Sequence, residues 1–371
     1  MKRFFILLFF VPVFISAEAF YSPSWGFFID LPEGYEYLDG DSRNRFSFSG
    51  PGESMFDLAV FHGVYGSMNE LINDINRRIQ NTGDADFFHY RDKQAAIIEL
   101  NFSENSGWGI CVELEKKDGQ IPMLLALAYS PSGSNDLELL HISALDSICP
   151  TIEERSYPGL VIEYSYPRGG MKPVTLPGGV HAIIRENDAE AAQVLIEREF
   201  MILQQYADSP YWKEAWIRYY RFIYRDSYDR ILNPVFALVR NWGGYTIKTD
   251  AERRAFAQKA LSFIQGFIYE RNLSGSDFVN LVSAVTEGRG DCDSRAMLWA
   301  IILSNADIRS AMMVSPYYSH AMGLADIAGA GARFEHSGVR WLVAETTAKI
   351  DIGLIAQDQS DPQRWIGVDF P

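Results

Sequence analysis

The stretch that decides the fold of the C-terminal part reads Glu287-Gly-Arg-Gly-Asp-Cys-Asp-Ser-Arg-Ala296 and continues as Met297-Leu-Trp-Ala-Ile-Ile-Leu303. The second half is apolar on every side, which predicts a buried helix. Asp291 is placed to cap the first turn, so Cys292 lies at the helix N-terminus. The helix dipole lowers the pKa of a thiol there, whereas the carboxylates of Asp291 and Asp293 oppose this unless they are used in capping.

A thiol nucleophile needs a base and a group that orients the base, and two later strands supply both candidates. His320 lies in the alternating stretch Tyr317–Asp326, 28 residues after Cys292. Glu345 lies near the end of Val339–Thr347, 25 residues further on. These separations fit a helix followed by two adjacent antiparallel strands. In that arrangement His320 takes the thiol proton and Glu345 holds the imidazole.

These motifs resemble, in order and spacing, the Cys, His and Asp motifs of the transglutaminase-like superfamily. The chain departs from the family in the last motif, where Glu345 replaces the usual Asp and Thr346 the usual Pro. Upstream, Phe263-Ile-Gln-Gly-Phe-Ile-Tyr269 resembles a helix of secreted bacterial members. The resemblance therefore implies that Gln265 is the side-chain donor of an oxyanion hole, beside the backbone N–H of Cys292.

The resemblance implies a papain-like α+β domain over residues 246–371, with Cys292, His320 and Glu345 as its triad. The implied reaction is acyl transfer from a peptide or protein substrate, and analogy with bacterial relatives favours hydrolysis over cross-linking. The alternative is a catalytically idle transglutaminase-like domain that serves as a binding or scaffold protein of the cell envelope. Retention of both Cys292 and His320 favours the enzyme.

Residues 20–152 alternate short strands with two helices, which predicts an α+β domain with an antiparallel sheet and helices on one side. The predicted strands are Trp25–Leu31, Arg45–Ser49, Phe56–His62, Phe87–Tyr90, Ala95–Phe102, Gly107–Glu115 and Met123–Tyr129, and the helices are Met68–Gln80 and Asp136–Ile148. The opening stretch, Trp25 to Tyr35, resembles the first strand of the PsbP/Mog1-like fold.

Residues 153–245 are predicted to connect the two domains. A linker rich in Pro and Gly is predicted from residues 157–170 and 172–179, with a short strand pair that ends at Ile184. A capping box at Asn187 predicts a helix to Tyr206, and Ser209-Pro210 begins a second helix through Tyr224. Three arginines on one face of that helix are expected to pair with the surplus carboxylates of the chain rather than to bind an anion: Arg218, Arg221 and Arg225.

The first 19 residues are predicted to be a signal peptide. Lys2 and Arg3 precede the apolar segment Phe4–Ile15, and Ala17-Glu-Ala19 resembles a cleavage site. An uncleaved anchor is the alternative, but Pro12 interrupts a segment that is already short for a membrane span. We therefore expect a periplasmic or secreted protein without a transmembrane anchor after cleavage.

Composition limits the partners. With 33 Lys+Arg against 48 Asp+Glu, the 371 residues carry a formal charge of −15, which argues against nucleic acid as a ligand. No set of residues has metal-ligand spacing and no cofactor motif is present, so neither a metal nor a cofactor is predicted. Of three cysteines, Cys111 and Cys149 fit either a disulfide or two buried free thiols, which leaves Cys292 as the odd thiol.

Overall fold

The computed structural model describes residues 19–271 and 275–370, and it confirms the predicted α+β class. The predicted signal peptide, residues 1–19, lies outside the described residues except for Ala19. Within the described ranges, none of the helices combines the length and the apolar character that crossing a membrane requires.

The N-terminal part is built on one antiparallel sheet. Its elements are β1 (Phe20–Tyr21), β2 (Phe28–Ile29), β3 (Glu36–Gly40), β4 (Arg45–Ser49), β5 (Met55–Phe61), α1 (Met68–Ile79), β6 (Ala85–Tyr90), β7 (Lys93–Phe102), β8 (Asn105–Glu113), β9 (Met123–Pro131) and α2 (Glu138–Asp146). The sheet has the order β3-β4-β5-β9-β8-β7-β6, and β1 pairs with β2 beside it. The predicted strand over Trp25–Leu31 is thus reduced to two residues.

The two helices cover opposite faces of this sheet, so the prediction of helices on one side is wrong. Leu71 of α1 packs in one apolar cluster with Ile98 of β7, whereas Leu145 of α2 packs in another with Ile97. Neighbouring residues of β7 point to opposite faces, and both of these are apolar. A strand that is apolar on both faces requires cover on both sides of the sheet.

The connector is more helical than predicted. Its elements are α3 (Leu160–Ser165), β10 (Met171–Thr175), β11 (His181–Arg185), α4 (Asp188–Gln205), α5 (Trp212–Arg230) and α6 (Leu232–Asn241). Helices α3 and α6 were not predicted, and α5 runs beyond Tyr224. The predicted capping box is wrong, because the Asn187 side chain donates to the carbonyl of Pro167 at 2.9 Å instead of capping α4.

Buried ion pairs join the N-terminal part to the connector. Asp146 of α2 accepts from Arg198 of α4 at 2.7 Å, Arg198 contacts Glu199 at 2.8 Å, and Glu199 contacts Arg218 of α5 at 3.0 Å. We call these four residues the arginine network. Arg218 also donates to the carbonyl of Asp30 at 3.0 Å. The network therefore fixes helices α4 and α5 of the connector against the N-terminal part.

The predicted pairing of the arginines with carboxylates holds for two of the three. Arg218 pairs within the arginine network, and Arg221 lies 3.6 Å from Asp30. Arg225 instead donates to three backbone carbonyls, those of Tyr157, Asp146 and Ile148.

The C-terminal part packs helices against a second antiparallel sheet. Its elements are α7 (Asp250–Ile264), β12 (Ile268–Tyr269), α8 (Leu281–Glu287), β13 (Arg289–Gly290), α9 (Cys292–Ser304), β14 (Ser310–Ser315), β15 (His320–Ala325), β16 (Arg333–His336), β17 (Val339–Ala344) and β18 (Ile366–Asp369). The sheet has the order β16-β17-β15-β14-β18. One apolar cluster continues from Phe27 through the connector to Val368, and the domain boundaries given above stay predictions.

Candidate active site

The first turn of α9 has the predicted arrangement. Asp291 is the N-cap residue, and its carboxylate accepts the backbone N–H of Ser294 at 3.0 Å. Gly288 closes α8 with φ +68°, a left-handed conformation that favours glycine and turns the chain into β13. Cys292 is therefore the first residue of a helix that is buried along almost its whole length.

A close approach between α9 and β15 brings the predicted base to this helix. The Trp299 ring fills the space beside Gly323, where a Cβ atom would lie 2.4 Å from the ring. The indole N–H of Trp299 donates to the carbonyl of Ala257 at 3.1 Å, which fixes the ring. A side chain at position 323 would push the strand off the helix, so glycine is required for this packing.

His320 and Glu345 form the second half of the predicted triad. His320 begins β15, and Glu345 directly follows β17, the strand paired with β15. Nε2 of His320 lies 2.7 Å from Oε2 of Glu345. The other carboxylate oxygen accepts the backbone N–H and the hydroxyl of Thr347, both at 2.6 Å. Both oxygens of Glu345 are thus engaged, which holds the carboxylate in one orientation.

Glu345 is suited to stabilise a charged imidazole. Burial would raise the pKa of its carboxyl, but the hydrogen bonds and charge of His320, together with the donors of Thr347, outweigh burial and hold that pKa below its usual range. Because Nε2 of His320 faces the carboxylate, Nδ1 is the ring nitrogen that Glu345 leaves free.

The thiol itself is protonated at rest. Cys292 is 7% exposed, and burial raises the pKa of the thiol well above its usual range. The carboxylates of Asp293 and Asp291 add to the rise, and the backbone N–H groups of Ala321 and Cys292 oppose it. Ala321 directly follows His320, so the start of β15 faces the thiol. Between these described residues, however, Sγ of Cys292 makes no hydrogen bond to the His320 ring.

Two carboxyl groups flank the thiol and interact with each other. Burial raises the pKa of Asp293 well above its usual range, and the charge of Asp291 adds to the effect, while the Tyr220 hydroxyl, which donates at 3.1 Å, opposes it. Burial likewise raises the pKa of Asp291, and its Oδ2 has no hydrogen-bond partner among the described residues. Burial therefore disfavours charge on both carboxyl groups, most strongly on Asp293.

Among the described residues, the same three are the ones whose ligand atoms lie close enough together to hold a metal ion. Ligand atoms of Asp291, Cys292 and Asp293 lie within 4.8 Å of one another. Ser294 and Tyr220 already use two of the carboxylate oxygens, and an ion here would occupy the thiol itself. The absence of a metal stays a prediction from sequence.

The geometry does not give Gln265 a free donor. Its side-chain nitrogen donates to the backbone carbonyls of Glu345 and Ile350, both at 2.9 Å. Both partners are acceptors, so the amide orientation is fixed, and its two protons are used. Gln265 therefore positions the segment that carries Glu345 and has no proton left for an oxyanion.

Two aromatic residues near the triad were not singled out as site residues. Tyr269 is half-exposed, and burial together with the charge of Cys292 raises the pKa of its phenol to about 12. The Arg295 guanidinium lies 5.3 Å from its ring centre. The Trp365 ring lies 6.3 Å from that of His320, edge to face. Tyr269 ends the motif that contains Gln265, but no sequence signal links Trp365 to the site.

The remaining candidate residues lie elsewhere. His336, the last residue of β16, forms an ion pair with Asp369 at 2.9 Å. Cys111 and Cys149 are buried free thiols, which decides between the two alternatives left by the sequence.

Comparisons with known proteins add little. No family model and no curated protein matches the chain. A crystal structure from Bacteroides thetaiotaomicron VPI-5482, at 1.50 Å resolution, is 11% identical and covers 88% of this chain and 89% of its own, with a TM-score of 0.25. A likeness of that strength supports no conclusion about fold or function.

Proposed function

We propose that this chain is a secreted or periplasmic thiol enzyme of the transglutaminase-like type, which transfers the acyl group of a peptide or glutamine-type amide to water. The observation that carries the proposal is the 2.7 Å contact between His320 and Glu345, at the start of a strand that faces the helix beginning with Cys292. An oriented base next to a thiol at a helix N-terminus is the arrangement that nucleophilic acyl transfer requires.

The raised thiol pKa decides how the proton moves in this proposal. A protonated resting thiol calls for general-base catalysis, in which His320 takes the proton while the sulfur attacks the carbonyl carbon. The imidazolium, stabilised by Glu345, then protonates the leaving amine as the C–N bond breaks and a thioester forms. Water, deprotonated by the same imidazole, attacks the thioester and releases the acid and the thiol.

The oxyanion needs donors other than Gln265. The backbone N–H of Cys292 is one, because the first N–H groups of a helix have no partner within it. We assign the second to the Tyr269 hydroxyl, because Tyr269 of β12 pairs with Gly290 of β13, two residues before Cys292. Loss of one such donor lowers kcat by about 10²–10³. Tyr269→Phe should show that loss in a hydrolysis assay, whereas an unchanged kcat removes Tyr269 from the mechanism.

The second candidate function is a catalytically idle scaffold or binding protein. The observation that favours it is the thiol, which is buried between two carboxylates without a hydrogen bond to His320 in the described part of the chain. An idle domain has no need for a reactive thiol.

Alkylation by iodoacetamide separates the two candidates. The enzyme predicts that Cys292 is labelled faster near neutral pH than Cys149, a buried thiol whose pKa burial also raises. His320→Ala should slow labelling at Cys292 and leave Cys149 unchanged. Equal rates at both thiols, with no effect of His320→Ala, would favour the scaffold.

Hydrolysis of a pool of internally quenched peptides tests the reaction itself. Cys292→Ala should abolish cleavage, and the matched variant Cys149→Ala, which also removes a buried thiol, should retain it. Cleavage that survives Cys292→Ala would assign the activity to other residues and refute the triad.

A further inference from the structure

A polar cavity of about 190 Å³ lies in the N-terminal part, between one end of the sheet and the start of α2. The sheet contributes Glu99 of β7, with Trp108 opposite it on β8, and Ser106 of β8, with Ser130 opposite it on β9. These four side chains share one face, because their positions along each strand differ by two. The remaining polar lining residues are Ser134, Glu138 and His141.

The inner wall of the cavity holds polar groups without partners. Ser130 and His141 are each 2% exposed. Nε2 of His141 is fully buried and has no hydrogen-bond partner among the described residues. The hydroxyls of Ser106, Ser130 and Ser134 make no hydrogen bond to another described side chain or carbonyl. Nε2 of His141 is closed off from solvent, so a ligand in the cavity does not reach it, whereas the hydroxyls of Ser106, Ser130 and Ser134 are open to the cavity and have no partner in the described part of the chain.

The inner wall carries no charge. Burial lowers the pKa of His141 to about 4, so the imidazole is neutral near pH 7 and offers one donor and one acceptor. Each serine hydroxyl also both donates and accepts. A ligand that matches this wall therefore carries several groups that can both donate and accept a hydrogen bond, as hydroxyl groups do.

Two glutamates at the rim of the cavity and one tryptophan in its wall restrict the class of ligand that fits. Glu99 and Glu138 are exposed, so solvent screens their charge, but both disfavour an anion. Glu138 accepts the indole N–H of Trp108 at 3.4 Å, which fixes the plane of a partly buried ring. An aromatic face packs well against the C–H groups of a saturated ring because its π-system is electron-rich. A cation would leave the uncharged inner wall without a matching charge.

We propose that this cavity binds one uncharged, polyhydroxylated ring of monosaccharide size, with the Trp108 indole against its apolar face and Ser106, Ser130 and Ser134 at its hydroxyl groups. The site is independent of the thiol chemistry, because none of its residues belongs to the C-terminal sheet or to α9.

Saturation-transfer difference NMR on the full chain tests the site. The probes are glucose, galactose, mannose and N-acetylglucosamine, with tetramethylammonium as the cationic probe. At least one sugar should give a saturable signal, with a Kd in the range of about 1 mM. Saturable binding of tetramethylammonium but of none of the sugars would overturn the assigned class. An absence of signal from every probe would mean that the cavity holds water only.

Two variants locate the binding. Trp108→Leu should weaken the Kd of the binding sugar at least about tenfold, whereas Trp212→Leu, a change at a tryptophan exposed on α5, should leave it unchanged. Ser130→Ala, which removes one hydroxyl without enlarging the side chain, should also weaken the binding of the sugar. This variant replaces Trp108→Leu as the test if Trp108→Leu fails to fold. Unchanged affinity in a folded Trp108→Leu or Ser130→Ala variant would overturn the assignment.

Discussion

This molecule contains two groups of buried carboxylates, and they differ in whether a positive charge lies beside them. In the arginine network, Asp146 and Glu199 each contact an arginine within 3.0 Å, and every member is at least nine-tenths buried. At the start of α9, Asp291 and Asp293 flank a thiol, and neither forms an ion pair with a described residue. The first arrangement satisfies charge and stabilises the fold, whereas the second leaves charge uncompensated beside the proposed nucleophile.

The sharpest way to break this comparison is to remove one arginine from the network. Arg218→Met leaves Glu199 with one of its two arginine partners and should lower the free energy of unfolding by about 3–5 kcal/mol in urea denaturation. Arg340→Met, which changes a pair whose two side chains are both largely exposed, should stay within about 0.5 kcal/mol. A loss below about 1 kcal/mol at Arg218 would mean that the network does not carry the stability assigned to it.

Glu345 tests whether the candidate site also contains a buried carboxylate whose charge is stabilised by its neighbours. Its pKa is held below the usual value of 4.5, so its ionised form stabilises the fold above that pH, and the contribution is lost as pH falls through the lower folded-state pKa. Glu345→Gln should cost about 1–3 kcal/mol at pH 7, and the difference should shrink in acid.

The control for this measurement is Glu335→Gln, at an exposed carboxylate of β16, which should change little at any pH. If the deficit of Glu345→Gln were the same at pH 7 and pH 3, the carboxylate charge would not be its cause.

Asp293 tests the second group of carboxylates, which lies beside the Cys292 thiol. Its charge helps to raise the pKa of the Cys292 thiol, so Asp293→Asn should lower that pKa. At a pH below the thiol pKa, each unit by which the pKa falls raises the thiolate fraction about tenfold. The rate of iodoacetamide labelling should rise by somewhat less, because a thiolate of lower pKa is a weaker nucleophile. Asp358→Asn, at an exposed position, is the matched control. A slower rate at Asp293→Asn would show that this carboxyl activates the thiol.

Glu33 gives the smallest expected effect, because it lies near Arg218 without forming an ion pair among the described residues. Burial raises the pKa of its carboxyl to about 7, against the opposing charge of Arg218. A raised pKa means that stability is complete below about pH 4.5 and falls as pH rises towards 7. Glu33→Gln should therefore gain roughly 1–2 kcal/mol at pH 8 and nothing at pH 4, whereas the exposed Glu36→Gln should gain at neither.

The sequence predicted the parts of the site that depend on local pattern. A helix apolar all round, preceded by an N-cap residue, located Cys292, and alternating strands located His320 and Glu345. The direction of the Gln265 amide was not predictable, because it depends on the carbonyl of Ile350, 85 residues away. Helix α3 was missed because its six residues, Leu160–Ser165, lie in a stretch rich in Pro and Gly. The unpartnered imidazole of His141 becomes visible only when β8, β9 and α2 meet.

The close approach at Gly323 has a mechanical consequence. The thiol helix and the imidazole strand are joined by a ring that fills a space left by one missing side chain, so they cannot slide past each other without emptying that space. They therefore move as one rigid body. Any opening that admits a substrate must then come from the segments around this pair, such as the one that carries Tyr269, and the thiol must approach the imidazole by rotation of the Cys292 and His320 side chains.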